Sequence, residues 1–91
     1  MPGPRMPAVA GLFYPASREE CDRDVRRCLA RASSLAPRPR TAVAAVVPHA
    51  GWDCSGIPLA AALLAMEETD ADTVLLFGAD HHGLLRGACA V

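Results

Sequence analysis

The sequence predicts an α/β domain built on a parallel βαβ core, and three observations lead to it. Residues 41–47 and 73–77 are runs of β-branched and aliphatic side chains, each of strand length. An apolar, helix-compatible stretch lies between them, around residues 57–66. Each run ends in a short loop bearing histidine: Pro48, His49, Ala50, Gly51 and Trp52 after the first, and Gly78, Ala79, Asp80, His81, His82 and Gly83 after the second. A strand, helix and strand in that order cross over right-handed, so the two strands run parallel and both loops leave from one edge of the sheet. Neighbouring strands are about 5 Å apart, which lets imidazoles from the two loops converge on one atom. That carboxyl edge is where open α/β folds bind ligands.

Taken in order, residues 6–16 form a mixed segment with Pro7 and Pro15 near its ends and Phe13 and Tyr14 inside, and they predict irregular or extended backbone. Ser17 followed by Glu20 is a capping box that starts a helix. Cys21, Val25, Cys28, Leu29 and Ala32 repeat at helical spacing while Arg23, Asp24, Arg26, Arg27 and Arg31 cover the rest, so this helix has one buried face and ends near Ser33 or Ser34. Pro37 and Pro39 forbid its continuation and make a linker.

The run at 41–47 lacks polar alternation, the pattern of a strand covered on both faces. Ser55 or Gly56 is expected to cap the second helix, with Pro58 in its first turn and residues 59–68 continuing it. Glu67, Glu68, Asp70 and Asp72 lead into the second strand, and a further apolar element begins after Gly83. The pattern stops in mid-fold. Two parallel strands with a third beginning leave edges and faces uncovered, which points to a truncated fragment, a chain completed by another polypeptide, or an oligomer.

Ninety-one residues amount to one domain at most. An apolar share of 52% with a net charge of -1 describes a globular chain rather than a disordered or nucleic-acid-binding one. All the basic residues are arginine, scattered without the interleaved aromatics of a single-strand binding surface. No run reaches the roughly 18 apolar residues of a membrane span, and the amino terminus has no secretory pattern, so a cytoplasmic location is expected. Cys21, Cys28, Cys54 and Cys89 form no C-x-x-C pair or disulfide framework, which fits a reducing compartment. Cys21 and Cys28 read as small buried hydrophobes.

Two readings fit the loop histidines. Imidazoles on rigid strand ends are ligands for iron, copper and zinc, and two of them with a third protein donor leave positions open for oxygen, water or substrate. Alternatively the rings are neutral and packed, bonded to backbone carbonyls. Asp80 and Asp53 serve as a carboxylate ligand, as an acceptor that fixes a histidine tautomer, or as turn residues. Trp52 and Tyr14 line a pocket or pack beneath the loops. Phosphate binding is disfavoured, since neither G-x-G-x-x-G nor a P-loop occurs, and no serine or cysteine has a base at a defined spacing.

Three motifs together give the chain a family resemblance: Pro7 to Gly11, Phe13, Tyr14, Pro15 and Ala16; Val47, Pro48, His49, Ala50, Gly51 and Trp52 with Ser55 and Gly56; and Phe77, Gly78, Ala79, Asp80, His81 and His82. In this order they resemble the MEMO family, whose bacterial members are called AmmeMemoRadiSam system protein B. The resemblance covers essentially the whole chain and identifies it with the N-terminal portion of a single MEMO-like domain. It implies a layered α/β fold similar to class III extradiol dioxygenases, in which two loop histidines hold non-haem iron. On that pattern His49 and His81 correspond to metal ligands, for iron or copper, and His82 to a pocket residue, with Trp52 and Asp80 beside it. The family's cysteine ligand belongs to a later part of the fold, and neither Cys54 nor Cys89 matches it. Two departures stand out: Trp52 replaces a common tyrosine, and Gly78, Ala79 and Asp80 replace Gly-Pro-Ser, so Asp80 adds negative charge at the site.

Three functions follow as alternatives. The first is a metal-dependent, dioxygenase-like redox enzyme; the second is a non-catalytic module that binds a peptide, small molecule or partner in the same cleft; the third is an inactive fragment. The resemblance also implies radical SAM and AMMECR-type companions, for which these residues encode no contacts.

Overall fold

A computed structural model of the chain describes residues 3–4, 6–35, 42–67, 69–81 and 83. The proline linker at 36–40, Thr41, Glu68, His82 and the apolar element with Cys89 after Gly83 lie outside the described residues. Two helices organise what is described: α1, Arg18–Leu35, and α2, Trp52–Met66.

Helix α1 starts where its capping box places it. The Glu20 amide donates to Ser17 Oγ at 3.2 Å, and the Ser17 hydroxyl donates to Glu20 Oε2 at 3.0 Å, so the side-chain pair closes on itself rather than reaching back to the backbone of Ser17. Glu19 and Glu20 in the first turn favour the positive end of the helix dipole. The solvent face carries the pairs Arg26–Asp22 and Arg27–Asp24, which are exposed and contribute little to stability. The inner face is narrower than its spacing predicts. Cys28 and Ala32 are buried and Leu29 is partly buried, whereas Val25 is exposed at the margin.

Helix α2 begins earlier than Ser55 or Gly56, which corrects the sequence reading. Its cap is Gly51, which has no side chain to offer, and the missing acceptor comes from elsewhere: the Trp52 amide donates to the carbonyl of Phe13 at 2.8 Å. Ser55 and Gly56 are therefore inside the helix, and Pro58 lies in its interior rather than its first turn. A proline there removes one ladder bond, that to the carbonyl of Cys54. The helix closes at Met66, where Thr69 donates to the Met66 carbonyl from both its amide and its hydroxyl.

The two helices pack on each other through a core of Cys28, Ala32 and Ala60, flanked by Leu29, Ile57, Ala61 and Leu64. Ile57, Ala60, Ala61 and Leu64 recur at i, i+3, i+4 and i+7, one face of α2. Beyond its first turn the remaining circumference of α2 is also apolar, and Leu63 on it is 55% exposed. The helices approach closely at Gly56, where an added Cβ would sit 2.7 Å from Cys28 Sγ.

The segment before α1 folds into a turn. Leu12 and Phe13 donate to the Val9 carbonyl, Gly11 donates to Tyr14, and an isolated parallel bridge joins Ala10 to Tyr14. Gly11 has φ 81°, a left-handed conformation that an L side chain occupies only with strain. Pro15 then accepts a hydrogen bond from Cys21 Sγ on α1.

Residues 42–47 and 73–80 are non-helical, and among the described residues that Ala10–Tyr14 bridge is the only backbone pairing of β type. Val46 and Phe77 stand 103% and 94% exposed, so the two apolar runs contribute nothing to the helix–helix core.

Two outcomes test this packing. Alanine ordinarily improves a helix by about 1 kcal/mol over glycine, but overpacking against sulfur costs about 1–3 kcal/mol. Gly56→Ala is expected to lower the urea midpoint in the native chain and raise it in a Cys28→Ala background; equal effects in both would refute the close contact. Gly11→Ala is expected to cost about 1–2 kcal/mol in the same measurement, since its φ is retained only under strain.

Candidate functional site

The two histidine loops meet. His49 and His81 are separated by 32 residues, yet their Nε2 atoms are 3.2 Å apart. Their ring centroids lie 5.0 Å apart with planes tilted by 32°. Both side chains are exposed and open onto a cleft of about 540 Å³ lined by Val47, His49, Phe77, Gly78, Ala79 and His81. The cleft thus combines two imidazoles with aliphatic and aromatic walls and a stretch of backbone without bulky side chains.

Local structure explains how each ring is delivered. His49 sits one residue before the Ala50–Gly51 corner, and α2 starts immediately beyond it. The Ala50 amide donates to Ser55 Oγ at 2.9 Å, while the amides of Cys54 and Ser55 both donate to the Gly51 carbonyl. The Phe13 carbonyl approaches the same corner, 3.3 Å from where a Cβ on Gly51 would lie. On the other side, the Gly83 amide donates to the Asp80 carbonyl at 3.3 Å, and Gly83 turns the chain with φ 63°.

The remaining candidate residues fall in different places. Trp52 is half-buried at the start of α2, its ring 5.6 Å from that of Tyr14 and inclined by 34°, so the two aromatics join the N-terminal turn to the helix. Asp80 is exposed and adjoins His81 in the second loop. Asp53 lies in the first turn of α2, where its charge suits the helix dipole. Cys54 is exposed, whereas Cys28 is buried in the helix interface. His82 is outside the described residues. Ser55, the residue that holds the His49 loop from within α2, was not predicted in that role. Its signal is a hydroxyl in a helix whose one other polar side chain is Asp53.

A separation of 3.2 Å has two chemical meanings. It matches an N–H···N hydrogen bond between neutral rings of opposite tautomer. It also matches adjacent donors on a single ion with bonds of about 2.0–2.1 Å, which lie roughly 2.9–3.4 Å apart. The donor set therefore fits two neighbouring coordination positions of a first-row metal. Among the described residues no group of three or more histidine, cysteine, aspartate or glutamate side chains is arranged to hold an ion. Among them, too, no helix is long and apolar enough to cross a membrane.

Comparison with known proteins bears on the whole of this arrangement. The family described as Memo-like protein matches residues 5–91. A MEMO1 family protein of Methanosarcina acetivorans is 42% identical over 79 residues, covering 87% of this chain and 28% of that protein. The MEMO1 family protein of Thermotoga maritima is 37% identical over 92 residues, covering 90% of this chain and 33% of its own length. That of Methanopyrus kandleri is 38% identical over 90 residues, covering 88% and 31%. The chain thus spans about a third or less of the curated relatives it matches. No solved structure matches it. With the family match running from the N-terminal turn through both histidine loops, the chain belongs to the Memo-like protein family.

Proposed function

We propose that His49 and His81 are two ligands of a non-haem iron or copper centre, at the carboxyl edge of a parallel sheet in a layered α/β domain. The observation that supports this reading most directly is the 3.2 Å separation of the two Nε2 atoms, reached across 32 residues of chain. Support for the layered fold comes from α2, which is apolar around its circumference beyond its first turn as a helix between two layers is, and from the two exposed apolar runs, which have the composition of strands covered on both faces. The same reading makes the protein metal-dependent and dioxygenase-like.

When bound, the metal would supply open coordination positions for dioxygen or a substrate oxygen. The chain's own residues do the rest. His49 and His81 offer Nε2 as neutral donors, which leaves Nδ1 of each ring to carry its proton and take a partner that fixes the tautomer. Val47 and Phe77 give one side of the cleft an apolar lining. Gly78 and Ala79 allow a ligand to approach the backbone closely. Asp80 adds negative charge next to His81, favouring a cation in the loop.

A second reading rests on the same distance. A hydrogen-bonded pair of neutral imidazoles needs no ion, and the cleft would then be a non-catalytic binding surface for a peptide or small molecule. Metal titration separates the two. The intact chain, titrated with Fe(II), Cu(II) and Zn(II) by equilibrium dialysis, is expected to bind one ion, and His49→Ala and His81→Ala are each expected to weaken it at least about tenfold. Undiminished binding in both variants would abandon the metal centre; binding to neither the native chain nor the variants would favour the second reading.

A further inference from the structure

Among the described residues Ser55 is the one buried polar side chain, 3% exposed. A buried hydroxyl needs a hydrogen-bond partner. Its only hydrogen bond among the described residues runs outside the helix, accepting the Ala50 amide at 2.9 Å. Ala50 directly follows His49. Ser55 reaches back out of the helix start, as the third side chain of a capping box does, but to the amide one residue before the cap. Gly51 at the cap has no side chain to stiffen this corner, and the Phe13 carbonyl engages only the following amide, Trp52.

We propose that Ser55 is the positioning residue for His49: by fixing the Ala50 amide it holds the backbone from which the imidazole projects, and so sets its Nε2 within 3.2 Å of His81. The inference rests on the metal-centre reading for its consequence and on the hydrogen bond for its geometry. Removal of Oγ leaves an amide without its acceptor and frees the corner to rotate. A displacement of a few tenths of an ångström at Ala50 is magnified at the ring tip, where the donor separation decides whether two nitrogens share an ion.

The test uses the intact chain with Co(II) alone as the probe. Ser55→Ala is compared with Cys28→Ala, which trims one sulfur from the helix interface while Ala32, Ile57, Ala60, Ala61 and Leu64 keep the two helices together, and with Ser55→Thr, which retains the hydroxyl. The expected result is about tenfold weaker Co(II) binding and an altered visible spectrum for Ser55→Ala, partial recovery in Ser55→Thr, and affinity within about twofold of native for Cys28→Ala. Native affinity and spectrum in Ser55→Ala would overturn the assignment while leaving the metal centre intact. Should the native chain bind no Co(II) through its histidines, the metal reading fails, and metal-free nuclear magnetic resonance decides for Ser55. Loss of the His49–His81 ring contact and of Ala50 amide protection in Ser55→Ala, but not in Cys28→Ala, upholds the positioning role, and their retention refutes it.

Discussion

The close approach of α1 to α2 at Gly56 is the constraint on which the helix pair is built. A glycine in mid-helix is costly in itself, by about 1 kcal/mol relative to alanine. Here it admits the Cys28 sulfur into space that any other residue would occupy. With the helices at that distance, Ile57, Ala60, Ala61 and Leu64 reach Ala32 and Leu29, and the axis of α2 is fixed against α1. Because α2 begins two residues after the Ala50 amide, its axis sets where the histidine loop meets the helix, and the Ser55 hydroxyl then holds the corner itself. The helix pair is thus a bracket whose free end carries His49.

The N-terminal turn completes the bracket from the other side. Its contacts to the helices are made largely by backbone: the Phe13 carbonyl caps α2, the Pro15 carbonyl accepts from Cys21 on α1, and Gly11 supplies the left-handed bend that directs both. Backbone carbonyls cannot rotate away as side chains do, so once the turn is formed both helix beginnings are pinned to it. Exposed Leu12 and Phe13 side chains show how little of this turn's role depends on burial. An imidazole delivered from such a corner has few ways to relax, which suits a group that must meet a partner 32 residues away.

Local signals made α1 legible. Ser17 and Glu20 mark its start, and its apolar residues recur at helical spacing, so contacts within four residues determine it. The start of α2 was not legible, because its cap is a glycine and the acceptor comes from Phe13, nearly forty positions earlier. Pro58 compounded the difficulty, since proline favours a first turn and here occupies the interior. At the site, His49 and His81 stood out because each follows an apolar run and a loop glycine lies near it. Ser55 did not, since its partner is an amide outside its own helix and no spacing rule connects the two. Val25 shows the limit of periodicity: it has the right spacing and lies just beyond the width that α2 covers.

One arrangement has an optical consequence. Trp52 is the chain's single tryptophan, and it stands at the junction of the N-terminal turn, the cap of α2 and the His49 loop. Tyr14, at 5.6 Å, is close enough to pass excitation to it efficiently. Emission excited through the tyrosine therefore reads the docking of the turn, with no label attached. Trp52 thus makes this protein its own reporter of whether the corner beneath the histidines is closed.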